Sequence, residues 1–362
     1  MAELSNQLMV ITVLAYLAAM VGHAAEYAFG NRSHVGRAAG RPARELVGAT
    51  TGATGPLPAV PVPAGPASAG PPPSAGTKLP LSDPLPLSDR QSVEPSPTGG
   101  PGRAGLDRAA WAGRAAVALT VLGLLAHLGT LVTRGIAADR MPWGNMYEFI
   151  LSVTFVGSAV WLGVLIRRPG IRHMGLIVAL VLVVLLGAAG LIAYTPVGPL
   201  VPALNSYWFV IHVSTVIVSS GIFLLGFVPA AMFLIRSGYE QGKRSFPYTL
   251  GRRVPAPALL ERLTFRLHAF AFPLFTFGAL IAGPLWAEAS WGRYWGWDPK
   301  EVWAFISWVV YACYLHARAT PSVKRSTATW IAVLGFATML MNLFGVNLFF
   351  EGLHSYANAG DN

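Results

Sequence analysis

A chain of 362 residues that is 54% hydrophobic and only 12% charged carries about half the ~25% charge of a soluble domain, which excludes an ordinary soluble protein. Its formal charge of +10 would suggest nucleic acid in a soluble chain, but in a membrane chain the sign is read loop by loop. A single cysteine, Cys313, excludes a disulfide framework and every multi-cysteine zinc or iron–sulfur site.

A spanning helix needs ~20 mostly apolar residues at ~1.5 Å rise each. Eight stretches qualify, at 6–25, 112–133, 146–166, 174–194, 208–235, 264–286, 300–317 and 328–350. The expected fold is an all-α polytopic membrane protein of about eight transmembrane helices. The first stretch has only Glu3 as a charge between Met1 and Asn6 and no small-residue cleavage site after it, so 1–29 is read as a retained helix and not as a secretory signal. Residues 30–110 lack apolar periodicity, and 51–103 alone hold 14 of the 28 prolines. Such a segment cannot bury enough apolar surface to offset its ordering entropy, and it is read as a disordered cytoplasmic linker in semi-extended conformations. Residues 111–362 then form a seven-helix domain.

Orientation follows from the cations. With the amino terminus outside, the inner loops carry 22 of the 26 Lys and Arg, leaving Arg134, Arg140, Arg293 and Lys300 outside. That bias predicts both termini on the extracytoplasmic side and accounts for the net charge without nucleic acid.

Six of the eleven tryptophans, Trp286, Trp291, Trp295, Trp297, Trp303 and Trp308, lie within 23 residues around an outer loop. An interfacial aromatic belt explains single tryptophans. Gly292 and Gly296, interleaved with the rings, would let backbone approach a flat partner, and the whole loop from 286 to 303 fits a large planar aromatic ligand better. Asp298, Pro299 and Glu301 have the form of an acidic N-cap, a first-turn proline and a capping-box acid. Arg293 and Lys300 are the outer cations of this loop, and either is a candidate partner for ligand carboxylates or a solvated side chain.

Depth sorts the eight histidines. His212, near the outer end of the fifth stretch, and His354, after the eighth, flank the Trp loop at one level. Two imidazoles converging there suit the two axial positions of a haem iron, although each alone could be a hydrogen-bonded membrane polar group. His316, thirteen residues beyond Trp303, lies roughly 20 Å deeper. His127 and His268 are expected to bond backbone or neighbouring side chains. His23, His34 and His173 are expected to be interfacial or solvated, and Cys313 to be a small packing residue.

These motifs resemble the haem-handling cytochrome c assembly proteins, within them the CcsA type, also called ResC or in some bacteria CcsB, of the System II synthase. The resemblance covers about residue 112 to the end. It is carried by Pro142-Trp-Gly-Asn-Met-Tyr-Glu, Ser206-Tyr-Trp-Phe-Val-Ile-His-Val-Ser, the stretch from Trp286 to Trp303 that contains the WWD signature, Tyr314-Leu-His-Ala-Arg, and Phe344-Gly-Val-Asn-Leu with Leu353-His-Ser-Tyr.

The resemblance implies haem b as substrate and ligand. His212 and His354 would hold it beside Trp291, Trp295, Trp297, Asp298, Trp303 and Arg293. His316 would be one ligand of a second, transmembrane haem position whose other histidine comes from a ResB-type (Ccs1-type) membrane partner. It further implies a bacterial plasma membrane setting, unfolded apocytochrome c as client, thioredoxin-like thiol-reducing proteins as assistants, and covalent attachment of haem to Cys-X-X-Cys-His only in complex with the partner. A haem exporter or chaperone of the CcmC type shares the loop but typically has six spans. A b-type electron-transfer protein usually pairs histidines on the same two helices, a pattern not seen here.

Overall fold

The computed structural model describes residues 1–29 and 101–354. Among these residues there are helices and no strands: α1 (Ala2–Phe29), α2 (Pro101–Ala138), α3 (Met146–Arg167), α4 (Gly175–Ile192), α5 (Tyr207–Glu240), α6 (Pro257–Phe277), α7 (Gly283–Trp291), α8 (Pro299–Ala319), α9 (Arg325–Leu340) and α10 (Val346–Phe349). Single π-helical turns, Gly278–Ala282 and Met341–Gly345, join α6 to α7 and α9 to α10. The described residues 1–29 and 104–354 belong to one compact unit. The linker expected at 30–110 lies outside the described residues up to 100, and its residues 101–110 are the first turns of α2.

Among the described residues, seven segments are long and apolar enough to cross a membrane: Ala2–Ala28, Arg108–Ala138, Met146–Arg167, Pro169–Ile192, Tyr207–Glu240, Pro257–Trp291 and Arg325–Phe349. The protein is therefore an all-α integral membrane protein; the helix at the eighth expected span, 300–317, is not among these seven by composition, yet it runs from the Trp loop to the opposite end of the bundle, where Arg318 pairs with Glu261. The helix there, α8, has the length of a span. Lys300 and Glu301 at its start and His316 and Arg318 in its last turn make it too polar by composition. Its buried side, Ser307, Tyr311, Tyr314 and Ala317, packs on α9 and α6. Phe305, Val309, Cys313 and His316 form an outward stripe. Cys313 is thus exposed instead of a packing residue, because it follows Val309 by one helical repeat on that stripe.

Helix α5 is the pillar of the bundle. Its apolar window is 78% buried, against 28–50% for the other spans. Glycines allow the contact with α3: a Cβ at Gly221 would lie 2.7 Å from Val156, so a larger residue would force apart backbones that gain most of their attraction from close packing. At the end of the bundle opposite the Trp loop, ion pairs and carbonyl contacts tie the segments together. Arg172 pairs with Glu26, Arg318 with Glu261, and Arg253 donates to the Tyr27 carbonyl at 2.6 Å. His23 and His173 belong to this end and are buried, 1% and 8% exposed, which corrects the expectation of interfacial or solvated rings. His23 packs on Gly175 beside Glu26, so the ion pair has drawn the helix ends over it. His34 lies outside the described residues. His268 bonds the Thr264 carbonyl at 2.8 Å as expected, and His127 packs edge-on between Tyr16 and Phe155.

Candidate functional site

The Trp loop is a strained turn fixed by a capped helix. Helix α7 stops at Gly292, whose φ of +70° is open to glycine at little cost. Trp297 adopts φ +58°, a conformation that costs a bulky residue ~1–3 kcal/mol and persists only where surroundings enforce it. The enforcement is the capping box predicted for α8. Asp298 Oδ2 accepts from the Lys300 N–H at 3.2 Å, and Glu301 Oε2 accepts from the N–H groups of Asp298 at 3.0 Å and Gly296 at 2.9 Å.

Asp298 does more than cap. Its Oδ1 accepts from the Leu353 N–H at 2.6 Å and its Oδ2 from His354 Nδ1 at 2.7 Å, so one carboxylate holds both the start of α8 and the segment after α10. Gly352 is required there, because a Cβ on it would overlap Asp298 Oδ1. Burial pushes the Asp298 carboxyl up, but the hydrogen bonds from His354 and from the Leu353 and Lys300 N–H groups outweigh it and hold the carboxyl below its ordinary value. An ionised Asp298 accepting from Nδ1–H sets the His354 tautomer with its basic lone pair on Nε2.

His212 is oriented by a parallel device. Its Nδ1 donates to the Gly278 carbonyl at 2.8 Å. Gly278 opens a π-helical turn and also accepts from the Gly283 N–H, a distortion that often marks functional sites. A Cβ on Gly283 would stand 3.1 Å from the His212 ring, so glycine lets the helix approach the imidazole. Between the two histidines stands Trp286, 2% exposed, its indole N–H on the Ala203 carbonyl at 3.0 Å. The His212 ring stacks on it at 5.5 Å and 14°, and the His354 ring meets it edge-on at 5.5 Å and 65°.

Both histidines line one cavity, with Trp286, Trp291, Trp295 and Lys300. Along α5 its wall runs from Phe209 to Leu224, roughly 22 Å of helix, and is otherwise almost wholly apolar. Trp143, Gly144, Asn145 and Met146 form part of its lining, which brings the Pro142–Glu148 motif to the cavity. Glu148 is fully buried and pairs with Arg134 and Arg140, each at 2.7 Å; its Oε2 also takes the Gly144 N–H at 2.8 Å. A buried carboxylate needs such partners, and the loop is pinned where they meet.

Of the residues singled out from sequence, the structure brings together His212, His354, Trp291 and Trp295, with Asp298 behind His354. Trp297 is 70% exposed, and neither it nor Trp303 nor Arg293 is part of the cavity wall. His316 is exposed on α8, away from this cavity. Trp286, the ring shared by both histidines, went unremarked among six tryptophans because only its burial distinguishes it. Glu148 had a signal in sequence: a lone acid opening an apolar span implies buried cationic partners.

Residues 143–354 match the family described as Cytochrome C assembly protein. Among curated proteins, the Cytochrome c biogenesis protein CcsA of Guillardia theta is 34% identical over 255 residues, covering 66% of this chain and 83% of that protein. The CcsA proteins of Gloeobacter violaceus, 33% over 290 residues, and Porphyra purpurea, 31% over 276, cover 66% and 67% of this chain and 84% and 86% of their own lengths.

Proposed function

Since the chain belongs to the Cytochrome C assembly family and acts in cytochrome c biogenesis, we propose that it presents haem b in the Trp-loop cavity at the extracytoplasmic face and, with a ResB-type membrane partner, attaches it to the Cys-X-X-Cys-His cysteines of apocytochrome c. The observation that carries this reading is the pair of imidazoles on one cavity wall, each with Nδ1 committed, His212 to a carbonyl and His354 to a carboxylate. An acceptor bound to the far nitrogen of an iron-binding histidine in this way fixes its tautomer and orientation. The aromatic walls fit a flat macrocycle, and Lys300 on the wall fits its acidic edge.

Haem supplies two vinyl groups, across each of which a client thiol adds to give a thioether, the thiol proton ending on the other vinyl carbon. This chain's residues contribute placement. His212 and His354 would hold the metal, Trp286, Trp291 and Trp295 would cover the ring, and the Glu148-pinned loop would leave one edge open to the client. No thiol of this chain is needed, since Cys313 lies on an outward face. His316, exposed on the outward stripe of α8, suits a second haem position completed by a histidine of the partner. Both termini lie outside in this reading, in a bacterial plasma membrane, with thioredoxin-like proteins keeping client thiols reduced.

Co-expression with the ResB-type partner and an apocytochrome in a host without other assembly systems tests the proposal. The expected result is covalent haem on the client, dependent on both membrane proteins. Haem bound to the chain but never attached would replace the synthase reading with that of a CcmC-type exporter.

A further inference from the structure

Lys300 is the one lysine or arginine on the wall of the Trp-loop cavity among the described residues, and the carboxylate whose charge reaches it, Asp298, is already shared among three other donors. Among those residues it forms no ion pair, and its Nζ contact is with Met146 Sδ at 3.5 Å, a weak acceptor. The acids nearest in sequence are already committed. Asp298 accepts from His354 and two backbone N–H groups, and Glu301 from two more. Arg293, the other cation of the loop, is not on the cavity wall, and its guanidinium covers Gly296, where a Cβ would stand 2.6 Å from Cζ. A cation on a largely apolar wall, whose one acid, Glu301, is turned to backbone N–H groups, is costly unless an anion joins it.

We propose that Lys300 is the specificity residue for the carboxylate edge of the ligand: its Nζ takes a propionate of the macrocycle and so sets which edge of the ring turns toward the client. This rests on the reading that haem occupies the cavity. A lysine here offers a point charge with three donors and can follow a flexible propionate as a rigid fork would not. The vinyl edge, opposite the propionates on the macrocycle, is then the edge turned away from Lys300.

The test uses the purified full chain in detergent, titrated with iron protoporphyrin IX and with its dimethyl ester, in wild type, Lys300→Gln and Lys300→Arg. A charge-assisted hydrogen bond implies a preference of about ten- to a hundredfold for the diacid in wild type. Lys300→Arg should keep most of that preference. Lys300→Gln should abolish it by weakening diacid binding while leaving the diester unchanged. Comparing variants in the same detergent cancels the different partition of the two porphyrins. A preference that survives in Lys300→Gln, or equal weakening of both forms, overturns the assignment while leaving haem in the cavity. Failure of wild type to bind either form overturns the haem reading and this one together.

Discussion

Asp298 shows how one side chain can serve the fold and the site at once. It caps α8, receives the Leu353 N–H and orients His354. Asp298→Asn keeps size and shape but turns an NH2 group either toward the Leu353 N–H or toward the His354 Nδ1–H and Lys300 N–H that share Oδ2. The expected result is a loss of about 10–100-fold in haem affinity, the usual cost of removing the acceptor behind a metal-binding histidine. Haem titration measures it, and helix content by circular dichroism should stay unchanged, because packing of the bundle, not one cap, holds α8 helical. The N-cap role of Asp298 was legible in sequence, since Asp-Pro-Lys-Glu is a local pattern. Its bond to His354 was not, because the two lie 56 positions apart and no local spacing encodes a pairing of that kind. The histidines themselves were legible through depth, while Lys300 and Arg293 could be separated only by where each side chain ended.

At the scale of elements, the apolar runs gave seven spans close to their true limits, because length and composition are what a bilayer selects. The eighth run, α8, falls below the other seven in apolarity because polar residues stand at both its ends, yet it too runs from the Trp loop to the opposite end of the bundle with one face buried. The π-helical turns left no trace in the pattern, as a one-residue change in hydrogen-bond register does not alter hydropathy. Their effect is nonetheless local and testable. A Cβ at Gly278 would stand 3.0 Å from Val216 Cγ2, so Gly278→Leu should push the α6–α7 rod away from α5 and withdraw the carbonyl that holds His212. Overpacking of this kind costs about 1–3 kcal/mol. A lower thermal midpoint together with reduced haem content is expected. A lower midpoint with full haem content would show that the carbonyl does not orient the imidazole.

For the whole molecule, the proposal assigns the chemistry to the membrane helices and none to the Pro-rich insertion. Deleting about 50 residues between 30 and 100 should leave haem attachment intact so long as the remaining chain still spans the gap between the first two helices. Loss of attachment at normal protein level would assign the insertion a role in partner or client binding. The charge bias that predicted orientation is likewise a property of the whole chain, tested by reporter fusions at each terminus, both of which should read out as extracytoplasmic.

The central claim, that His212 and His354 together hold one haem iron, is met most directly by the pyridine haemochrome content of the chain purified with its partner, compared among wild type, His212→Ala and His354→Ala. Each substitution should remove the haem of the Trp-loop cavity and leave any haem held at the level of His316. Equal haem content in all three proteins would contradict the account.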